Sequence, residues 1–174
     1  VALDDALKNA PAPVIFASFM LVNNETGAIY DVKSAVGAVK RSYPDAVVHC
    51  DAVQGFMKLR FTPAALGVDA LTVSAHKIHA PRGAAALFIS ADTIKRKNIV
   101  PVMPGGGQES GLRSGTEATA QIAGFAKAVE LRSRNLADKL EAMQQLKAYA
   151  VEKLTAIPDV EVIGKEYIGT GDYL

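Results

Sequence analysis

Cysteine, histidine and tryptophan are scarce in this chain: one, three and none among 174 residues. A single cysteine, Cys50, excludes an internal disulfide and any cysteine-rich zinc site, which makes a reducing compartment the default expectation. Charge of one sign is also missing. Nineteen basic and 18 acidic side chains leave a net charge of +1, so nothing demands a polyanionic partner, and no nucleic-acid binding is expected. Long hydrophobic runs are lacking too. The longest, Val14 to Val22, contains Ser18 and is about half of the ~20 residues that a membrane-spanning helix needs. No basic segment precedes a hydrophobic stretch with a cleavage site, so no secretory signal is visible. These absences point to a cytoplasmic protein without a membrane partner. There is also no initiator Met, and Tyr167 to Leu174 stops in a turn-rich stretch. The chain is therefore expected to be an internal piece of a longer polypeptide.

What is present can build a core: 49% of the residues are hydrophobic and 21% charged, in the range of globular domains. The unbroken run Val14 to Val22 predicts a strand buried on both faces. Asp31 predicts a helix cap, with Val32, Val36 and Val39 on one face of a helix running through Lys40 and ended by Tyr43-Pro44. Val47 to Cys50 reads as a second strand. Thr62-Pro63 opens a short helix that Gly67 stops, and Ala70 to Ser74 is a third strand. Ala84 to Ile89 is a fourth, and Ile99 to Met103 a candidate fifth. Ser114 and Glu117 have capping-box spacing. The apolar steps from Ile122 through Leu154 then predict helix to about Ala156, broken by Pro158, before a strand at Val160 to Ile163. The fold class implied is α/β: a mostly parallel sheet flanked by helices, ending in a long helix and the start of a small α+β domain. The expected division is 1–132 for the main domain and 133–174 for the linking helix and the beginning of the small domain, with the boundary near Arg132 to Leu136.

Parallel α/β sheets bind ligands outside the carboxyl ends of their strands. Three successive apolar runs here end in polar side chains: Asn23-Asn24-Glu25, then Asp51 with Gln54, then Ser74-Ala75-His76-Lys77. Their convergence on one crevice is the main functional inference from the residues alone. Carboxylates and imidazoles at metal-ligand spacing are missing, and Gly105-Gly-Gly is not followed by the Gly-Lys-Ser/Thr of a phosphate-binding Walker loop. A lysine after one strand and an acid at the end of its neighbour fit pyridoxal-phosphate (PLP) chemistry, in which the amine holds the cofactor and the carboxylate keeps the ring nitrogen protonated. Spacing alone leaves other readings open. Lys77 would serve equally as a solvated surface lysine, Asp51 as a turn residue, and Cys50 as a small buried hydrophobe. His49 and His79 read as core or surface histidines.

Four segments carry a more specific signal: Asn23-Asn-Glu-Thr-Gly-Ala-Ile29, His49-Cys-Asp-Ala-Val-Gln54, Ser74-Ala-His-Lys-Ile78 with Pro81-Arg-Gly83, and Gly105-Gly-Gly-Gln-Glu-Ser-Gly-Leu-Arg-Ser-Gly-Thr116. In order and spacing, over roughly Val14 to Leu131, they resemble the class V, fold-type I PLP enzymes, and within these the cysteine desulfurases of the NifS/IscS group. The resemblance implies that the chain is part of the large domain of such an enzyme. It implies that Lys77 holds PLP covalently and moves the substrate Cα proton, and that Asp51 pairs with the ring nitrogen. Gln54 and Asn24 would hydrogen-bond the ring hydroxyl region or the substrate side. Ser74 and His76 would bind the phosphate, and Thr116 would reach the phosphate in the partner subunit of a homodimer.

The implied reaction converts L-cysteine to L-alanine, leaving sulfur as a persulfide on an enzyme cysteine for a sulfur acceptor or an iron–sulfur scaffold protein. The phosphate-loop motif and ring-stacking histidine of the family are expected before Val1, and its nucleophilic cysteine and carboxylate-binding arginine after Leu174. Cys50 does not match that nucleophile, because it lies within a strand directly before Asp51. The 174 residues alone are accordingly expected to show no desulfurase turnover. Ala75 and Ala80 stand where glycine is usual in the family. The alternatives are another class V enzyme, a selenocysteine lyase or kynureninase-like hydrolase, or a non-catalytic scaffold.

Overall fold

The computed structural model describes residues 2–163. Four strands form one sheet in the order β1-β2-β3-β4: Phe16–Met20, Val47–Asp51, Ala70–Ser74 and Ala85–Ile89. The first three are parallel and β4 runs antiparallel to β3. The helices are α1 (Ala2–Lys8), α2 (Val32–Ser42), α3 (Pro63–Leu66), α4 (Ala91–Arg96), α5 (Thr119–Ser133) and α6 (Leu136–Thr155), with a 3-10 turn at Ala75–Ile78 directly after β3. The expected α/β class with a mostly parallel sheet is the one observed.

Local chemistry sets the helix ends. The Asp31 carboxylate accepts the Ser34 N–H at 3.0 Å, satisfying one orphan donor of the first turn of α2. Thr62 does the same for Ala65 at 3.1 Å, Pro63 occupies the first turn where its missing N–H costs nothing, and Gly67 stops α3 in the left-handed conformation. Alternation along the strands then sorts the faces. Phe19, Val48, Cys50, Leu71 and Val73 pack with Val32, Val36 and Val39 of α2 and Leu7 of α1 in one core cluster. The opposite face carries Ser18, His49, Asp51, Thr72 and Ser74.

Several elements differ from expectation. β1 is shorter than the apolar run and is not buried on both faces, because it is an edge of the described sheet: Phe16 and Ser18 are exposed. β4 is exposed along most of its length for the same reason. Ile99 to Met103 is not a strand; Pro101 brings no N–H to a ladder, and Val100 and Val102 are exposed. The helix does not begin at Ser114, whose hydroxyl instead ties the preceding loop by donating to the Gly106 carbonyl at 3.2 Å; α5 starts after Ala118. Nor is the helix continuous. Arg134 is extended and Asn135 adopts φ 55°, a left-handed conformation that asparagine tolerates better than most residues. Residues 160–163 form no strand, and the turn-rich stretch at 167–174 lies outside the described residues.

Candidate active site

Because β1, β2 and β3 are parallel, their carboxyl ends lie along one edge. Asp51 ends β2 and Ser74 ends β3, and the Leu21 N–H donates to the Asp51 carbonyl at 2.8 Å. The turn bearing Asn23 and Asn24 therefore leaves from the same edge. Asn23 holds that turn: its side-chain oxygen accepts the N–H groups of Glu25 and Thr26, both at 2.9 Å. Asn24 is exposed beside it. One carboxylate oxygen of Asp51 accepts the Val53 N–H at 3.0 Å, which fixes its rotamer and leaves the other oxygen for a ligand. Gln54 follows in the same turn. That turn lies tight against the residues that follow β1, since a Cβ on Gly55 would come within 2.9 Å of Leu21.

Lys77 sits on the 3-10 turn after β3. It is half-buried and has no carboxylate or hydrogen-bond partner among the described residues. Ser74 Oγ and His76 Nδ1 are hydrogen-bonded at 2.8 Å, a hydroxyl and an imidazole presented together at the strand end. The lysine turn is close to the segment that follows Asp51. Lys58 is held below the ordinary lysine range, first by burial and then by the positive charges of Arg132 and Lys77. Arg132 in turn donates to the Met57 carbonyl at 3.3 Å. α5 braces both pieces: Phe125 meets Phe56 edge-on at 6.1 Å, and a Cβ on Gly124 would stand 2.9 Å from the Pro81 ring.

Thr116 lies elsewhere. It is exposed on the rim of an apolar hollow of about 810 Å³, whose lining includes Leu87, Val102, Leu112, Ile122 and Phe125 but none of the other six candidate residues. The hydroxyl–imidazole pair, the available carboxylate oxygen and the unpartnered amine fit the polar groups of PLP: a phosphate, a ring nitrogen and an aldehyde. Metal chemistry has no matching set, because no group of three His, Cys, Asp or Glu side chains is placed to hold an ion among the described residues.

The family model for aminotransferase class-V matches residues 2–169. The chain belongs to that family. A mitosomal cysteine desulfurase of Encephalitozoon cuniculi is 34% identical over 146 residues, 84% of this chain and 33% of the relative. The cysteine desulfurase IscS of Clostridium botulinum is 33% identical over 165 residues, 94% of this chain and 40% of the relative. Among solved structures, a NifS-like protein from Rickettsia africae superposes with a TM-score of 0.83 at 34% identity, covering 94% of this chain and 44% of that one. This class-V chain thus spans between a third and under half of the length of these relatives.

His49 is the residue that sequence reasoning passed over. Its Nδ1 is hydrogen-bonded to Ser18 Oγ at 2.8 Å and its Nε2 to Thr72 Oγ1, so three parallel strands are linked by side chains on the face that also carries Asp51. A signal was available: polar residues recur with period two in β2, at His49 and Asp51, and in β3, at Thr72 and Ser74, while Ser18 interrupts the apolar run of β1.

Proposed function

We propose that the chain is the lysine-bearing portion of a PLP-dependent cysteine desulfurase. The observation that carries the reading is Lys77, a half-buried amine with no partner among the described residues, on the turn that follows β3, at the edge where β2 ends in Asp51. When bound, PLP supplies an electron sink for bond breaking at the substrate carbons. Lys77 holds the cofactor and shuttles the Cα proton. Asp51 keeps the ring nitrogen protonated, Ser74 and His76 take the phosphate, and Gln54 and Asn24 orient the ring hydroxyl side or the substrate. In the net reaction the C–S bond of L-cysteine breaks, L-alanine leaves, and the sulfur ends as a persulfide on a cysteine other than Cys50. The relatives, named cysteine desulfurases, support cysteine as the substrate. A homodimer with Thr116 serving the partner's phosphate, delivery of sulfur to an iron–sulfur scaffold or other acceptor, and a cytoplasmic location complete the proposal. Among the described residues no helix is long and apolar enough to cross a membrane. We further propose a division at 132/133 between the cofactor domain and the start of a smaller one, in keeping with the helix break at Arg134–Asn135.

The test uses the complete protein, with the sequence that flanks these residues. Incubation with PLP, borohydride reduction and peptide mass spectrometry should locate the cofactor on Lys77. Lys77→Ala should abolish both the label and the visible band, together with cysteine-dependent production of alanine and sulfide. Labelling of another lysine, or an unchanged band in Lys77→Ala, refutes the reading.

A further inference from the structure

The contacts of His49 lie on the same face of β2 as the proposed cofactor carboxylate, two residues before it. Ser18 faces His49 in the β1–β2 register, and Thr72 faces Asp51 in the β2–β3 register. The hydrogen-bond chain Ser18–His49–Thr72 therefore crosses from the edge strand and ends on the residue beside Asp51. Phe16 stacks on the imidazole with ring centroids 6.3 Å apart. A neutral imidazole has one donor and one acceptor nitrogen, so with both nitrogens engaged the two hydroxyls take opposite roles and the chain has a direction. In the direction from Ser18 to Thr72, the Thr72 hydroxyl proton would be left to offer on the face shared with Asp51; in the reverse direction it is spent on His49 Nε2.

We propose that His49 is a positioning residue for Asp51: fastened between Ser18 and Thr72, it fixes the polar face from which the Asp51 carboxylate meets the cofactor ring nitrogen. The inference rests on the function proposed above and adds a residue to it. Neutrality is part of the role. Burial moves His49 below the usual histidine range, against the opposing pull of Asp51, the carboxylate that shares its face; Cys50 points to the core. A protonated His49 would draw the Asp51 charge to itself and away from the ring nitrogen.

The experiment is a binding cycle in the complete protein. Cofactor affinity and the pH profile of the visible band are measured for wild type, His49→Leu, Thr72→Val, Asp51→Asn and the His49→Leu/Asp51→Asn double variant. The thermal midpoint of each cofactor-free protein is recorded as well. Losing the hydrogen-bonded face should weaken cofactor binding about five- to tenfold in His49→Leu and in Thr72→Val and shift the pH profile of the band, whereas Thr72→Ser, which keeps the hydroxyl, should bind as wild type does. In the Asp51→Asn background the same His49 change should alter affinity by less than about twofold, because its effect passes through Asp51. Equal losses in both backgrounds would mean a purely structural role, and unchanged affinity would mean none; either overturns the proposal. If His49→Leu does not fold, the cycle with Thr72→Val and Asp51→Asn carries the same test. Lys77→Ala in the same series separates the two levels: a retained band sinks the proposed function, whereas a lost band with an additive cycle sinks only the role of His49.

Discussion

Asp69 offers a quantitative test of how the sheet register is held. It stands one residue before β3. Its N–H donates to the Val48 carbonyl at 2.8 Å, and its carboxylate accepts the Val48 N–H at 2.8 Å. The same carboxylate oxygen pairs with Lys40 Nζ at 2.7 Å, and Lys40 also donates to the Ala46 carbonyl at 2.7 Å. A side chain thus extends the β2–β3 ladder, and α2 is tied to it by charge. Asp69→Ala leaves the N–H of fully buried Val48 without its acceptor, costing about 1–3 kcal/mol. It also frees a half-buried ammonium; with the pair 32% and 20% exposed, that adds about 1 kcal/mol, well short of the deep-burial limit. The expected total is about 2–4 kcal/mol. At a urea slope of about 2 kcal/mol/M, the unfolding midpoint should fall by about 1–2 M. Asp69→Asn keeps an acceptor for Val48 and should lose only about 1 kcal/mol, as should Lys40→Met. Urea titrations followed by circular dichroism measure all three. If Asp69→Ala costs no more than Asp69→Asn, the Val48 hydrogen bond is not what the carboxylate supplies, and the reasoning fails.

Three further outcomes rest on the same geometry. Burial pushes the Cys50 thiol up to about 11 from an ordinary 9.0, so at pH 8 its thiolate is about a hundredfold scarcer; iodoacetamide should label Cys50 only as the protein unfolds in urea, and rapid labelling of the native state would contradict its place in the core. His49 titrates below the ordinary 6.5 because burial disfavours its cation. The unfolded chain then binds the proton more readily, and stability should decline as pH falls below 6.5; chemical denaturation at pH 7.5 and 5.5 should show a smaller decline in His49→Leu than in wild type. Gly124→Leu puts a side chain where only 2.9 Å separates a Cβ from Pro81. It should displace the lysine turn and weaken cofactor retention in the complete protein more than Gly37→Leu, whose nearest neighbour at 3.4 Å is the mobile end of Arg41.

Much of the layout of the candidate site was legible because its residues end or follow apolar runs. Asp51, Ser74 and Lys77 could be placed at strand ends by composition alone, and parallel direction then put those ends on one edge. The network around His49 was not legible in the same way. Ser18, His49 and Thr72 lie 31 and 23 residues apart, and only strand order and register make them neighbours. The break at Asn135 was hidden for a different reason: the apolar spacing from Ile122 to Leu154 continues across it, so a face-based reading sees one helix where the backbone makes two.

By itself the sequence determined the features that depend on contacts a few residues apart. The Asp31 and Thr62 caps and the Gly67 stop are of this kind, as is the alternation that sends Val48 and Cys50 to one side and His49 and Asp51 to the other. These arise from backbone geometry that each short segment carries with it. Tertiary structure alone decided that β4 runs antiparallel, that β1 and β4 form the edges of the sheet among the described residues, that Asp69 closes onto Val48, and that His49 is fastened at both nitrogens. Each of these is a pairing between distant segments, whose energy exists only once the chain has brought them together.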